Sequence, residues 1–546
     1  RVRGEASRLR GRLGQAAQKL LEVACVLGPR CDYELVAKVA RMDEAETATA
    51  VEKLVRGQVL AVEGQELVFQ QARICRALYE DMVPPRRKIV HAAVADMIEQ
   101  LHAKSLELHY QSLARHRREA GRLDEAVDAA VAAALVEMKR GAFSACRKIL
   151  QQALHWQEAL DGCGGRHPRE QDLHFVLGCL AESEGDLTAA RSAFKAAQVL
   201  AGKGGEGLKS AKILIALSRV ECAAGQRNAA FETLRRGLAL AERTGGDAPW
   251  LSVETFVSRL HLVDGTRDSV SLGLNRRLQR SRGLGLKVDE AETLALRGLL
   301  SATQGGFEQA LADCAAGLAV AETSGCEATV AACLEAEGMV RLWQGDTQGA
   351  MHALERSAEI AEARGDLLRL YVLAGHRGIA LLLSGHDADA IGLLESAIEM
   401  AEKLNTRFML PLFKAWLAEA AAGSKGGDAA YSASREALRL AGQSNQAWAG
   451  SVALRALALA FTQHQSRDFD KAEQAIRAAI EAQTSLGLRF ERARSMVVHA
   501  KILRARGEAA RSSDVFSEAG SLFREMGMAA ESARATTMAE ALRPGA

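Results

Sequence analysis

The chain has 546 residues, of which 48% are apolar, 25% charged and only 4% aromatic, and its 70 Lys and Arg nearly balance its 68 Asp and Glu. That balance leaves no global field to draw it onto nucleic acid or an anionic membrane. No apolar run approaches the roughly 18 residues of a membrane span, and no secretory signal is expected ahead of the fold. The 10 cysteines sit singly, with no C-x-x-C pair, so reduced thiols in a cytoplasmic protein are expected. A chain rich in Ala and Leu with 7 prolines favours packed helices. It opens Arg1-Val2-Arg3 without Met, and a further module is expected ahead of it.

In chain order, residues 1–14 read as a linker crowded with Arg1, Arg3, Arg8, Arg10 and Arg12. The segment from Leu20 to Leu27 is an amphipathic helix closed by Gly28-Pro29. Tyr33 to Ala40 and Asp43 to Arg56 make two more, with Asp43 as a cap. Val59 to Glu63, then Gly64-Gln65, then Glu66 to Phe69 read as a two-stranded wing with a short turn. Three helices and a hairpin predict a winged-helix domain over residues 15–85. Such a domain can contact DNA, but Asp43, Glu44, Glu46 and Glu52 on the reading helix would repel phosphates. Nucleic acid is not expected as a partner. Arg86, Arg87 and Lys88, after two prolines, read as a solvated helix end.

Residues 86–165 carry irregular first repeats. Gly121-Arg-Leu-Asp-Glu-Ala126 and Gly141-Ala-Phe-Ser-Ala-Cys146 lie 20 residues apart, so one helix serves both turns. His102, His109 and His116 stand seven apart on one face of a predicted helix, where neighbours are about 10.5 Å from each other. That is too far to share one metal, and they read as surface histidines.

From residue 166 to 540 a ruler of about 40 residues takes over. Gly185-Asp-Leu-Thr-Ala-Ala190, Gly225-Gln-Arg-Asn-Ala-Ala230, Gly305-Gly-Phe-Glu-Gln-Ala310, Gly345-Asp-Thr-Gln-Gly-Ala350 and Gly385-His-Asp-Ala-Asp-Ala390 share one pattern, and Gly265 heads a degenerate copy. Lys425, Arg467 and Gly507 continue the series. Gly ends a first helix, a polar residue caps the second, and the small residue lets two backbones approach. Seven residues before each turn stands another small residue, such as Gly178, Ser218, Gly298, Gly338 or Gly378, and large ones such as Phe194, Leu354 and Leu394 follow it. A second turn recurs at Gly245, Gly285, Gly325, Gly365, Gly487 and Gly527. Residues 541–546 are a tail.

Small, turn, small, large, small in that order resembles the tetratricopeptide repeat, stretched from about 34 residues to about 40. The expected fold is all-α: a right-handed α-solenoid of tetratricopeptide-like helix hairpins preceded by the small winged-helix domain. Residues 15–160, with Ala77-Leu78-Tyr79-Glu80 and Pro84-Pro85-Arg86-Arg87, resemble the winged-helix linker of the signal-transduction ATPases with numerous domains. That family includes MalT-like activators, and cyclases and kinases with tetratricopeptide tails. The resemblance implies an NTPase or effector module on the N-terminal side and a solenoid that receives an inducer or partner.

No nucleophile elbow, metal-binding helix or dinucleotide fingerprint occurs. Gly202-Lys-Gly-Gly-Glu-Gly207-Leu208-Lys209-Ser210 nearly spells a phosphate loop, but Leu208 intrudes and a helix, not a strand, precedes it. No catalytic, cofactor or metal residues are therefore predicted. Positions counted back from each turn Gly, as the tetratricopeptide resemblance implies, point instead to a partner-binding groove: Lys212, Arg219, Arg259, Glu335, Met339 and Trp343. Met339 and Trp343 also stand four apart, as core neighbours on a helix would. If Trp343 faces a groove, Trp343→Ala should weaken binding and leave melting nearly unchanged. The expected function is a regulatory interaction or sensor module binding a protein, a peptide or a small effector. Alternatives are a free-standing scaffold or peptide receptor, and a transcription regulator with a DNA-contacting winged helix.

Overall fold

The computed structural model describes residue 11 and residues 13–140, 142–161, 170–204, 207–244, 267–424, 426–463 and 467–542. The arginines at positions 1 to 10, Arg12, and the degenerate repeat with Arg259 and Gly265 lie outside them. The chain divides into two compact units, one up to Val176 and one from Leu177.

The first unit opens with α1 (Gln15–Leu27), β1 (Arg30–Asp32), α2 (Tyr33–Ala40), α3 (Glu44–Arg56), β2 (Leu60–Glu63) and β3 (Glu66–Phe69). The strand β3 lies between β1 and β2 and is antiparallel to both, with Leu67 opposite Cys31 on one side and Val62 on the other. Asp32 and Asp43 start their helices by accepting hydrogen bonds from the backbone N–H groups of Leu35 and Glu46, each at 2.8 Å. Leu20, Leu54, Leu60 and Leu67 are fully buried and join Val36 and Leu78 in one core. Five helices follow: α4 (Ala72–Asp81), α5 (Pro84–Leu101), α6 (Tyr110–Glu119), α7 (Leu123–Lys139) and α8 (Phe143–Asp161). Pro84 opens α5, a position where its missing N–H costs nothing.

The histidines overturn the sequence expectation. The helix α5 ends at Leu101, a 3-10 turn spans Leu106–Leu108, and the rings of His102 and His109 stack with centroids 3.8 Å apart. The turn folds α6 back onto α5, so a position outward on one continuous helix becomes interhelical. His116 is fully buried, with its Nδ1 2.9 Å from Nδ1 of His91. Arg115 Nη2 lies 3.2 Å from His116 Nε2, and a guanidinium can only donate. We therefore assign the proton of His116 to Nδ1, which donates to His91 Nδ1, and His91 Nε2–H then donates to the Tyr79 hydroxyl at 3.1 Å. Burial pulls the pKa of His91 down to about 4 and that of His116 to about 3, with Arg115 adding to both and Glu119 opposing at His91.

The second unit consists of hairpins. Its first helices are α9 (Glu170–Ser183, which the unit boundary cuts), α11 (Leu208–Ala223), α14 (Lys287–Thr303), α16 (Glu327–Gln344) and α18 (Leu367–Leu383). They continue as α20 (Leu410–Ser424), α22 (Ala447–Gln463), α24 (Arg489–Ala505) and α26 (Ala529–Glu540). The second helices are α10 (Leu187–Gly204), α12 (Arg227–Thr244), α13 (Arg267–Gly283), α15 (Phe307–Ser324) and α17 (Thr347–Arg364). They end with α19 (Asp387–Lys403), α21 (Gly427–Gln443), α23 (Phe469–Ser485) and α25 (Ala509–Glu525). This is an all-α solenoid of helix hairpins.

The 40-residue ruler is a packing device. A Cβ on Gly338 would sit 2.7 Å from Cγ of Leu354, and one on Gly378 would sit 2.8 Å from Cγ of Leu394. The small residue of the first helix is thus the notch that the large residue of the second fills, and both leucines are fully buried. At the turn, Gly345 takes φ 95° and Asp346 Oδ1 accepts from the N–H of Gly349 at 2.9 Å. Where the second turn lacks Gly, Asn405 (φ 50°) and Asn445 (φ 52°) adopt the left-handed backbone. A ruler read from Gly alone passes over them, although Asn tolerates that conformation better than most side chains.

Ion pairs one repeat apart tie the first helices together. Arg219 grips Glu182 at 2.9 and 2.8 Å, and Arg369 reaches Glu335 at 2.7 Å. Arg455, fully buried, bonds Glu419 at 2.8 Å and Glu491 at 2.6 Å and lies over the Trp416 ring, beside Arg494. The coil also returns on itself. The carbonyl of Ala223 accepts from Arg407 N–H at 2.7 Å and from the Thr406 hydroxyl at 3.2 Å, across 183 residues of sequence. Among the described residues no helix is long and apolar enough to cross a membrane.

Candidate functional site

That return forms one side of an open chamber of about 470 Å³ within the second unit. Its walls come from first helices: Glu182 of α9, Arg219 of α11, Glu292 and Leu299 of α14, Glu335, Met339 and Trp343 of α16, and Arg369, Tyr371 and His376 of α18. Thr406, Phe408 and Met409 close one side, and Trp448 of α22 another. Second helices contribute nothing to the described wall, because their buried face is spent on the notches.

The chamber pairs an apolar floor with charged walls. Trp343 and Trp448 meet with ring centroids 5.7 Å apart, tilted by 50°, alongside Met339 and Met409. Burial pushes the Tyr371 phenol up to about 12, so it stays neutral. Burial also opposes charge on Arg219 and Arg369, but Glu182 at the first and Glu335 with Asp366 at the second outweigh it, and both guanidiniums are raised. Glu292 acts on both arginines through space and makes no direct ion pair among the described residues. His376 is 6% exposed. Its Nδ1 lies 3.8 Å from Glu335 Oε1, beyond a hydrogen bond, and is buried without a partner. Trp448 Nε1 is likewise buried and unpartnered. Burial lowers the pKa of His376, with Glu335 opposing, and the ring is neutral.

Of the residues read from sequence, Arg219, Glu335, Met339 and Trp343 meet in this wall. Lys212 is exposed on α11 away from it, and Arg259 falls outside the described residues. Counting the same offsets back from Gly305 also reaches Glu292 and Leu299, which the sequence reading passed over. Trp448 had no following turn Gly to count from. Counted back from Gly385, His376 falls between the offsets and Arg369 lies beyond the farthest of them. Trp343 is 6% exposed and belongs to the main core cluster, as its spacing of four from Met339 allowed, so truncation would cost about 3–5 kcal/mol. One side chain serves floor and core together. The described residues include no group of three or more His, Cys, Asp or Glu placed to hold a metal ion.

No family model matches the sequence, and no curated protein does. Among solved structures, the chain is similar to the APC/C hetero-tetramer Cut9–Hcn1, at 13% identity over 93% of this chain and 92% of that one, with a TM-score of 0.50. It is also similar to a Rap protein complexed with competence and sporulation factor, at 16% identity over 61% and 99%, TM-score 0.43. A third is a signal transduction ATPase with numerous domains bearing a tetratricopeptide repeat sensor, from Pyrococcus horikoshii, at 11% identity over 98% and 67%, TM-score 0.31. At these identities the likeness speaks to the helical-repeat fold alone.

Proposed function

We propose that this chain is a cytoplasmic regulatory interaction module whose solenoid receives a peptide, a protein segment or a small effector in the chamber. Its first unit, read as a winged-helix linker, would pass that occupancy to an attached NTPase or effector module. The observation carrying this reading is the chamber itself. About 470 Å³ lies within the size range of ligand sites, and a mostly apolar lining with a few convergent polar groups is the usual make-up of such sites. The charged groups favour binding over chemistry, because the arginines are held in ion pairs and no acid–base pair is poised on a common point. An occupant would touch α11, α16 and the segment from Thr406 to Met409 at once, bridging parts of the coil that are far apart in sequence. Differential affinity for the closed coil would then shift its population.

The test is a screen of capped tetrapeptides and small organic amines by thermal shift on the full chain, repeated on Leu299→Trp. Leu299 is half-buried in the wall, so the larger ring fills the chamber while its helix stays paired. Hits that lose binding in the filled variant, with circular dichroism unchanged, support the reading. Hits that bind the filled variant equally well overturn it.

A further inference from the structure

We propose that the chamber selects a short peptide carrying a basic side chain beside an apolar one, with Glu292 as the residue that meets the cation. This rests on the chamber being a ligand site. Four carboxylates, Glu182, Glu292, Glu335 and Asp366, line it against the two guanidiniums of Arg219 and Arg369, leaving an excess of two negative charges. Arg219 is held by Glu182 and Arg369 by Glu335 and Asp366 together, so the surplus resides on Glu292 and on the Glu335–Asp366 pair, which shares one guanidinium. A charge facing a concave site raises the local concentration of the opposite charge and disfavours like-charged ligands.

The acidic excess does not stand alone. His376 is more than nine-tenths buried, lines the chamber, and has an unsatisfied Nδ1 beside Glu335. A buried polar atom without a partner costs about 1–3 kcal/mol, which a ligand carbonyl facing an Nδ1–H, or a ligand N–H facing the other tautomer, would recover. Across the floor, Trp448 Nε1–H is an unsatisfied donor and asks for a carbonyl. The paired faces of Trp343 and Trp448 suit an apolar side chain, and tryptophan faces also attract cations. Cationic N–H donor, carbonyl acceptor and apolar body together describe a basic peptide. An amine without a carbonyl leaves Trp448 unsatisfied, and an acidic peptide meets Glu292 head on.

The experiment is isothermal titration of the full chain with acetyl-Leu-Arg-Phe-amide, its Gln and Glu counterparts at the central residue, and phenethylamine. The Arg peptide should bind about tenfold more tightly than the Gln peptide, and the Glu peptide more weakly still. Glu292→Gln should cost the Arg peptide about tenfold and leave the Gln peptide within about twofold. Trp448→Phe, which keeps the ring face and removes the N–H, should weaken the peptides and leave phenethylamine unchanged. If the Gln or Glu peptide binds as tightly as the Arg peptide, or Glu292→Gln has no effect, the cation assignment is overturned while the chamber survives as a ligand site. Equal binding by phenethylamine overturns the peptide assignment. If no probe of any charge binds, the chamber reading falls with it.

Discussion

The two units bury polar side chains in opposite ways. In the first, His91, His116 and Tyr79 form a neutral hydrogen-bonded chain inside an otherwise apolar core. In the solenoid, beside many buried Ser and Thr hydroxyls, full charges are also taken inside: Arg455 lies buried between Glu419 and Glu491, and part-buried Arg219 and Arg369 pairs stand around the chamber. The difference follows from architecture. A closed core can hide a polar chain only while its members stay uncharged, because a lone charge there has nothing to face. First helices of a solenoid each have a neighbour at one-repeat spacing, so opposite charges can be set against each other along the inner surface. The first arrangement should therefore respond to pH, and the second to loss of one partner.

The largest expected effect breaks the solenoid's side of that contrast. Arg455→Met leaves Glu419 and Glu491 with Arg494 as their one remaining cation, and should cost about 3–5 kcal/mol in urea unfolding. Faster amide exchange should appear in α20, α22 and α24 and not in α1 to α3. A loss under about 1 kcal/mol would mean that Arg494, which also bonds Glu419, holds the network alone.

Next comes pH, which sharpens the other side. Both histidines have folded pKa values below the unfolded value of 6.5, so the unfolded chain binds more protons in that window. The stability they permit is complete above pH 6.5 and is lost as pH falls toward about 4. We expect a loss of about 5 kcal/mol from the first unit across that range, roughly half from each histidine, with a flatter profile in His116→Leu. An equally steep profile in that variant would assign the effect to other groups. Tyr79, Arg87, Arg115 and Glu119 are the charged or titratable neighbours that could contribute.

Two smaller effects probe the ruler. Gly338→Ala drives a methyl into Leu354 and should cost about 1–3 kcal/mol; combined with Leu354→Ala, the loss should be less than additive, as a thermal-melt double-mutant cycle would read. Full additivity would mean the notch is not shared. Asn405→Ala should cost about 1 kcal/mol in the same melts, while Asn405→Gly should be nearly neutral, because the left-handed backbone is what this turn demands.

The hairpins, their turns and the notch-and-knob pairs were legible because each is local: Gly338 and Leu354 lie within one hairpin, and helix periodicity brings them together. The ends of α2 and α3 and the strands β2 and β3 were readable for the same reason, through caps and alternation. The strand β1 was not, since three residues pair only because β3 offers an edge. His116 was misplaced because the break after Leu101 turns α6 back onto α5, and nothing in the spacing of seven announces it.

What the sequence determined alone, then, is the repeat: its period, its two turns and which residue types fill them, all settled by contacts within about 40 residues. Only the tertiary structure decided that the coil tightens until Ala223 meets Thr406 and Arg407, and hence that Trp343 and Trp448, in different repeats, share one chamber floor. In a solenoid, curvature accumulates from a small rotation at each repeat, too slight to mark the sequence, so residues far apart in the chain come to line one chamber.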